Sequence, residues 1–300
     1  MISIITCSIK PDICKEMLES VNKTIGAEYE AIVFDNRERK YGICKAYNEA
    51  AQKSKGDYLC FVHEDILFRT NNWGRELINF TKHNYDCGVI SVAGSKRAFR
   101  NFFYWCDDNR SSLINIYQSK NKKNNYSENS LLHSYINPNN EIFSKAVCLD
   151  GLFLFVKKNI WEDNKFDEDT FNGFHFYDAD FTFSVSQKFQ NYVYFGINIC
   201  HFSKGNFDRT YFENMYKFQK KWKNKLPYCL SGYRVSFQEE LETAQMIYSH
   251  YRVNKLSRIE CLKMFYEING IIFSFIFLLK ILFPYYVKQL FTSIPPTSNH

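Results

Sequence analysis

The chain has 300 residues, 45% hydrophobic and 23% charged, which excludes a disordered or fibrous protein and suits one large domain or a domain with an appendage. Its net charge of +6 is spread out apart from runs at 120–123 and 217–225, and no basic–aromatic repeat points to nucleic acid. Ten cysteines form no CxxC pair and sit in apolar runs, and the chain opens directly on a strand-like segment rather than a leader, so the expected setting is a reducing cytoplasm and not a disulfide scaffold.

Residues 2–7 read as a buried strand. Residues 12–25 have helical spacing, with Pro11 before them and Gly26 after. A second strand at 29–34 ends in Asp35-Asn36. A helix at 41–55 carries Ile43, Ala46, Tyr47 and Ala50 on one stripe, and Gly56 closes it. A third strand, 58–62, runs straight into His63-Glu64-Asp65. A helix at 73–82 and a fourth strand at 87–93 follow. This alternation predicts a parallel sheet with right-handed crossovers.

The third strand end carries the first chemical signal. Ligands of open α/β sheets bind beyond the carboxyl ends of strands. His63 and Asp65 lie two apart and share a face if the extended conformation persists, while Glu64 points the other way. Such a pair can hold a hard divalent cation beside a phosphate-bearing substrate. By itself the segment is matched equally well by a strand and a polar turn.

From 95 to 144 the periodicity degrades, and Asn, Ser and Lys dominate 120–129, which predicts a long functional loop or a partly unstructured stretch. Order resumes at 146–156, expected as one strand containing Asp150-Gly151. A helix is expected at 177–189, with Asp178 and Asp180 in its first turn, where carboxylates are favourable. A strand at 192–202 contains His201, and aromatic-rich helices follow at 209–225 and 237–251. Residues 268–279 are a mostly apolar run of 12, and counting on to Val287 gives 20 residues. That is the length of a bilayer span, but Asn269-Gly270, Lys280 and Pro284 interrupt it, so an interfacial or core-packing helix is expected.

Four acidic or polar strand ends fall on one sheet edge: Asp35-Asn36, His63-Glu64-Asp65, Asp150-Gly151 and Tyr177-Asp178-Ala179-Asp180. In this order, with Asn48-Glu49-Ala50 before Gly56-Asp57-Tyr58 and Gly173-Phe174-His175-Phe176 before Tyr177, they resemble the inverting GT-A glycosyltransferases of family 2, in particular the short bacterial enzymes. The resemblance covers residues 2–205. It implies an α/β fold with a Rossmann-like, mostly parallel sheet flanked by helices and a C-terminal helical appendage. The implied division is a catalytic domain at 1–205, with a nucleotide-binding half at 1–94 and an acceptor half at 145–205. A helical region at 206–290 and an unstructured tail at 291–300 complete it.

The resemblance also implies roles. Thr6-Cys7-Ser8 look like the loop that borders the nucleotide. Asp35, with Asn36, looks like the group that meets base or ribose, and Asn48, Glu64 and Asp65 fall among the nucleotide-sugar contacts. Asp65 is similar to the last acid of the family's D-x-D motif, and His63 stands where its first Asp usually sits, a departure that suits Mn2+ better than Mg2+. His201 is similar to a histidine that reaches the metal or diphosphate. Asp150, Gly151, His175 and Asp180 fall on the donor-sugar and acceptor side. Asp178 looks like the general base, with Tyr177 in place of the family's usual Glu.

The implied reaction is metal-dependent transfer from a nucleotide sugar, a uridine diphosphate sugar, to a surface glycan or lipid-linked saccharide. The C-terminal helix would meet the inner face of the plasma membrane. Three alternatives differ in sequence features. A nucleotidyltransferase would carry a Gly-rich loop after the first strand, and Cys7-Ser8-Ile9-Lys10-Pro11 has no Gly. A glycosidase needs no metal cluster. A catalytically inactive sugar-binding relative would account for the substituted first acid and the missing Glu.

Overall fold

The computed structural model describes residues 1–105, 110–119, 131–203, 205 and 207–282. The expectations for 120–129, for Pro284 to Val287 and for the tail at 291–300 lie outside the described residues.

The first half follows the alternation read from sequence. β1 (Ile2–Ser8), α1 (Pro11–Thr24), β2 (Tyr29–Asp35), α2 (Ile43–Gln52) and β3 (Tyr58–Val62) come in order, then a short β4 (Ile66–Phe68), α3 (Trp73–His83) and β5 (Cys87–Ser91). β1 pairs in parallel with β2 and β3. Ile4 packs with the cluster around Met17 and Trp73, and Ile5 with the cluster around Tyr47 and Phe61. Consecutive residues thus bury on opposite faces, so the strand reads as continuously apolar.

The sheet is less parallel than the alternation predicts. β12 (Phe153–Lys157) lies antiparallel between β3 and β5. The expected strand at 146–156 is three pieces: β10 (Phe143–Ala146), β11 (Cys148–Leu149) and β12. It breaks after Ala146 because the chain passes from the main sheet to a second one, and again after Leu149, where Asp150 Oδ1 accepts from the Leu152 amide at 2.9 Å, a side-chain turn that competes with strand pairing. The same turn places Leu152 so that its carbonyl accepts from the His63 amide at 3.0 Å.

Where it is described, the stretch from 95 to 144 is part irregular, at 99–105 and 137–142, and part strand. It follows β6 (Ala93–Ser95) with β7 (Arg97–Ala98), β8 (Ser112–Ser119) and β9 (Leu131–Ile136). β8 looks polar for a core strand because Asn115 is buried. Its amide donates to the carbonyls of Phe195 and Ile197 at 3.0 and 2.8 Å, which removes the penalty of burying it. After α4 (Lys158–Asp163) and α5 (Tyr177–Ser186), the expected strand at 192–202 is likewise two, β13 (Gln190–Tyr194) and β14 (Ile199–His201). β13 lies between β10 and β5 in the main sheet, whose order is β10-β13-β5-β12-β3-β1-β2, while β14 joins β11, β6, β8 and β4 in a second sheet.

Three C-terminal helices, α6 (Arg209–Lys221), α7 (Phe237–Val253) and α8 (Arg258–Phe277), cover the α2/α5 side. Between the first two of them, β15 (Tyr228–Cys229) pairs with β7. α6 adds Tyr211, Met215 and Phe218 to the same apolar cluster as Phe176 and Phe183.

Candidate active site

The second sheet assembles the site. β14 runs antiparallel to β4 with His201 opposite Ile66, and the Phe202 amide donates to the Asp65 carbonyl at 3.1 Å. β14 also pairs with β8, with His201 opposite Gln118. Two residues some 136 apart in sequence, Asp65 and His201, are therefore fixed side by side by backbone ladders. Their nearest ionisable atoms, Asp65 Oδ1 and His201 Nε2, are 3.6 Å apart. With His63 they form a set of ligand-competent atoms all within 4.8 Å of one another.

Hydrogen bonds assign the histidine tautomers. The Tyr177 hydroxyl donates its one proton to the Gly151 carbonyl at 2.9 Å. At 2.7 Å from His63 Nε2 it must then accept from that nitrogen, which leaves Nδ1 with the lone pair. His201 Nδ1 faces Gln118 Oε1 at 3.2 Å, so Nδ1 carries the hydrogen and Nε2 the lone pair. Ser203 Oγ meets that Nε2 at 3.0 Å. His63 is thus held through one nitrogen and offers the other, as metal-binding histidines do, while on His201 the Ser203 hydroxyl meets the lone-pair nitrogen and would have to turn away for a metal to bind there. Burial, reinforced by His201, lowers the His63 pKa and favours the neutral ring. Burial alone would raise Asp65, but His201 and His63 outweigh it and its pKa is lowered. Both shifts favour the ligand forms. Two nitrogens and one carboxylate oxygen suit Mn2+ or another borderline divalent ion.

α5 begins beside this set. Asp178 Oδ2 accepts from the Gly151 amide at 2.9 Å, while Tyr177 holds the carbonyl of the same residue. A Cβ on Gly151 would fall 2.2 Å from the Tyr177 hydroxyl, so only glycine lets α5 approach this closely. Burial, together with the neighbouring Asp150, pushes the Asp178 carboxyl up to about 7. Asp150 itself takes a hydrogen bond from Trp105 Nε1 at 2.6 Å. His63, Asp150, Gly151, Asp178, His175 and His201 all line one cavity of about 700 Å3. Much of the rest of its lining is aromatic, with Phe103, Trp105, Phe174, Phe207 and Tyr211 among its residues. His175 faces Asp208 at 3.6 Å, and burial lowers its pKa.

A second hollow of about 460 Å3 lies between α1 and the end of β2, lined by Ser8, Lys15, Val33, Asp35 and Arg37 among others. Arg37 grips Asp35 through Nε at 2.9 Å and through Nη2, and these bonds hold the exposed carboxyl down at about 2. Glu64 lies next to the smaller hollow through Ser8, one of its lining residues. It does not simply point away from the site. Its Oε2 accepts from Ser8 Oγ at 2.7 Å and from the Lys10 amide at 2.9 Å, pinning the turn after β1.

Other candidate residues are placed elsewhere. The Asn36 side chain is closed on the Tyr41 backbone at 2.9 and 2.8 Å. The buried Asn48 amide donates to Phe166 O and Glu168, both at 2.8 Å. Thr6 lies within β1, buried, with an unpartnered hydroxyl, and burial raises the Cys7 thiol to about 11. Asp180 is bound to Lys221 Nζ at 2.8 Å and Trp222 Nε1 at 2.7 Å, out of the cavity. Gln118, Ser203 and Tyr177 are the site residues that sequence reasoning did not select. Ser203 carried a local signal, two residues after His201, and Tyr177 figured only as standing where the family's usual Glu would be.

The family described as "Glycosyltransferase like family" matches residues 3–222. No curated protein matches the chain. Among solved structures, the crystal structure of GalNAc-T7 with UDP, GalNAc and Mn2+ is similar at 11% identity with a TM-score of 0.52, over 96% of this chain and 58% of that one. At that identity the likeness is one of fold, and this chain spans little more than half of the other. The crystal structure of A197 from STIV matches 68% of this chain and 86% of that one at 13% identity, with a TM-score of 0.38, too slight to bear on the fold.

Proposed function

Because this chain belongs to the glycosyltransferase-like family, whose GT-A architecture it shares, we propose that it is a metal-dependent inverting transferase. It would carry a sugar from a nucleotide sugar, a uridine diphosphate sugar, to a hydroxyl of a glycan or lipid-linked saccharide in the cytoplasm. The observation that carries this reading is the His63–Asp65–His201 set, whose two histidines line the same cavity as Asp178.

His63, Asp65 and His201 would hold the divalent ion. When bound, such an ion supplies the positive charge that stabilises a departing nucleoside diphosphate. The turn pinned by Glu64 and the hollow at Asp35 would seat the nucleoside. Asp178 would take the proton of the acceptor hydroxyl as its oxygen forms the new bond to the anomeric carbon and the bond to the diphosphate breaks. A carboxyl near neutrality is well matched to that role. One base and one displacement give inversion. The aromatic lining would stack against sugar faces on the acceptor side.

A screen of nucleotide sugars for Mn2+-dependent release of nucleoside diphosphate tests the reading, with proton NMR of the product reporting the anomer. Release from a uridine diphosphate sugar with inversion is expected. Retention of configuration would overturn the single-displacement mechanism. Pyrophosphate release from a nucleoside triphosphate and a sugar phosphate would make the protein a nucleotidyltransferase instead.

A further inference from the structure

We propose that the outer face of α8, together with the basic end of α6, docks this protein on an anionic lipid surface. α8 breaks at Gly270, whose φ of +83° and ψ of −178° are not helical. Beyond the break, Phe273 and Phe277 turn inward. Phe273 packs edge-to-face on Phe237 at 5.6 Å and Phe277 on Tyr248 at 6.1 Å, both from α7. The outward side carries Ile271, Ile272, Phe275, Leu278 and Leu279, exposed by 70, 73, 60, 40 and 51%. Their spacing of i, i+1, i+4, i+7 and i+8 is a single helical stripe. This segment is therefore apolar on both sides, one packed on the protein and the other facing solvent. A contiguous exposed stripe of this kind marks an interaction surface.

Charge selects the occupant. Residues 207–282 hold twelve Lys and Arg against seven Asp and Glu, which is +5 of the chain's +6. Lys223 Nζ donates to the Glu267 carbonyl at 2.5 Å, one turn before the stripe, and the Tyr216 hydroxyl bonds the Glu267 side chain. These contacts fix the end of α6 and the turn after it, with exposed Lys220 and Lys225, beside the kink. Lys280, also exposed, follows Leu279. A second copy packed about a two-fold axis would bring this positive surface against its own image. Anionic headgroups over acyl chains match both the charge and the stripe.

The contact lies on the bilayer rather than through it. Arg258–Lys280 is long and apolar enough to cross a membrane, but Cys261, Met264, Phe265 and Ile268 of its first half are buried in the protein, leaving the outer stripe for lipid. This surface is separate from the cavity, and the inference does not rest on the proposed reaction.

Co-sedimentation of the full chain with vesicles of phosphatidylcholine, with and without phosphatidylglycerol, tests it. The wild type should bind the anionic vesicles, and salt should weaken the binding. The double variant Ile272→Asn/Phe275→Asn should bind about tenfold more weakly, with an unchanged melting temperature because both positions are exposed. Lys220→Glu/Lys225→Glu, away from the stripe, should lose the preference for anionic over neutral vesicles. Wild-type protein left in the supernatant, or equal binding by both variants, would overturn the proposal. So would a concentration-dependent dimer in light scattering that the Ile272/Phe275 variant abolishes, since a second copy would then be the occupant.

Discussion

The Tyr177 hydroxyl stands 2.7 Å from His63 Nε2 and fixes which nitrogen of that imidazole is free. Its proton is committed to Gly151, so one side chain orients a ligand-competent histidine and holds the segment beside Asp178. Tyr177→Phe keeps the ring and removes both bonds. Mn2+ affinity should fall by about tenfold or more, in the range found for lost partners of metal-binding histidines, with little change in secondary structure. Manganese titration followed by electron paramagnetic resonance reads this directly. An unchanged dissociation constant would mean that the hydroxyl does not orient the ring.

Asp65→Asn and Asp35→Ala should separate metal from nucleoside. The amide cannot supply the anionic oxygen a hard cation prefers, so Asp65→Asn should abolish most of the Mn2+-dependent part of uridine diphosphate binding. Asp35→Ala should weaken binding equally with and without Mn2+. Calorimetry in both conditions checks the pair. A loss by Asp35→Ala confined to the metal-containing titration would take Asp35 away from the nucleoside.

Asp178→Asn should leave donor binding nearly intact and cut turnover by about 100-fold or more. Because the wild-type carboxyl is pushed up to about 7, turnover at saturating donor should rise with pH through about that value. The variant should lack this limb. A pH profile flat from 6 to 8 in the wild type, read against about 7 as the expected midpoint, would transfer the base role elsewhere.

The same shift has a stability consequence of opposite sense. Asp178 is raised from its ordinary 3.8 to about 7, so the folded state binds more protons than the unfolded one between those values. Stability therefore falls as pH rises through that window. The full difference is at most about 4 kcal/mol, and less in practice because the side chain is partly open to the cavity. Asp178→Asn should raise the melting temperature at pH 8, about one unit above that carboxyl's value, and have little effect near pH 4. Equal melting shifts at both would show that the ionised carboxylate is not strained by its surroundings.

Gly151→Ala should damage the site without unfolding the sheet. Its Cβ would collide with Tyr177 and sit 2.8 Å from Asp178 Cβ, forcing the start of α5 outward. Turnover should fall by about 100-fold, the cost of displacing reacting groups by around an ångström. Wild-type turnover would mean that α5 need not sit so close.

The nucleotide-side half was legible, apart from the three-residue β4, because its other strands are mostly apolar runs and its helices carry apolar stripes. The acceptor side was not. Asn115 made a core strand look polar, and a change of sheet and the Asp150 turn cut one apparent strand into separate pieces. His63 and Asp65 were visible as a local pair. His201 came into view only through the resemblance, and Gln118 carried no signal, since β-ladder registers between distant segments bring them in. Glu64, read as facing away on strand alternation, turns back to the end of β1 because the strand has already ended at Val62.

The position of β12 also sets an order of assembly during synthesis. Phe153 pairs with Val62, and β12 alone bridges β3 to β5. Until the ribosome has released that strand, β3 and β5 each present an open apolar edge, carrying Leu59, Phe61, Val89 and Ile90. Non-local pairing of this kind folds slowly, and unpaired edges recruit other chains. A nascent chain stalled before β12 would be a client for chaperones. A shorter expressed fragment ending there would aggregate even though five strands of the main sheet, β1, β2, β3, β5 and β10, and the helices α1 to α3 are already present.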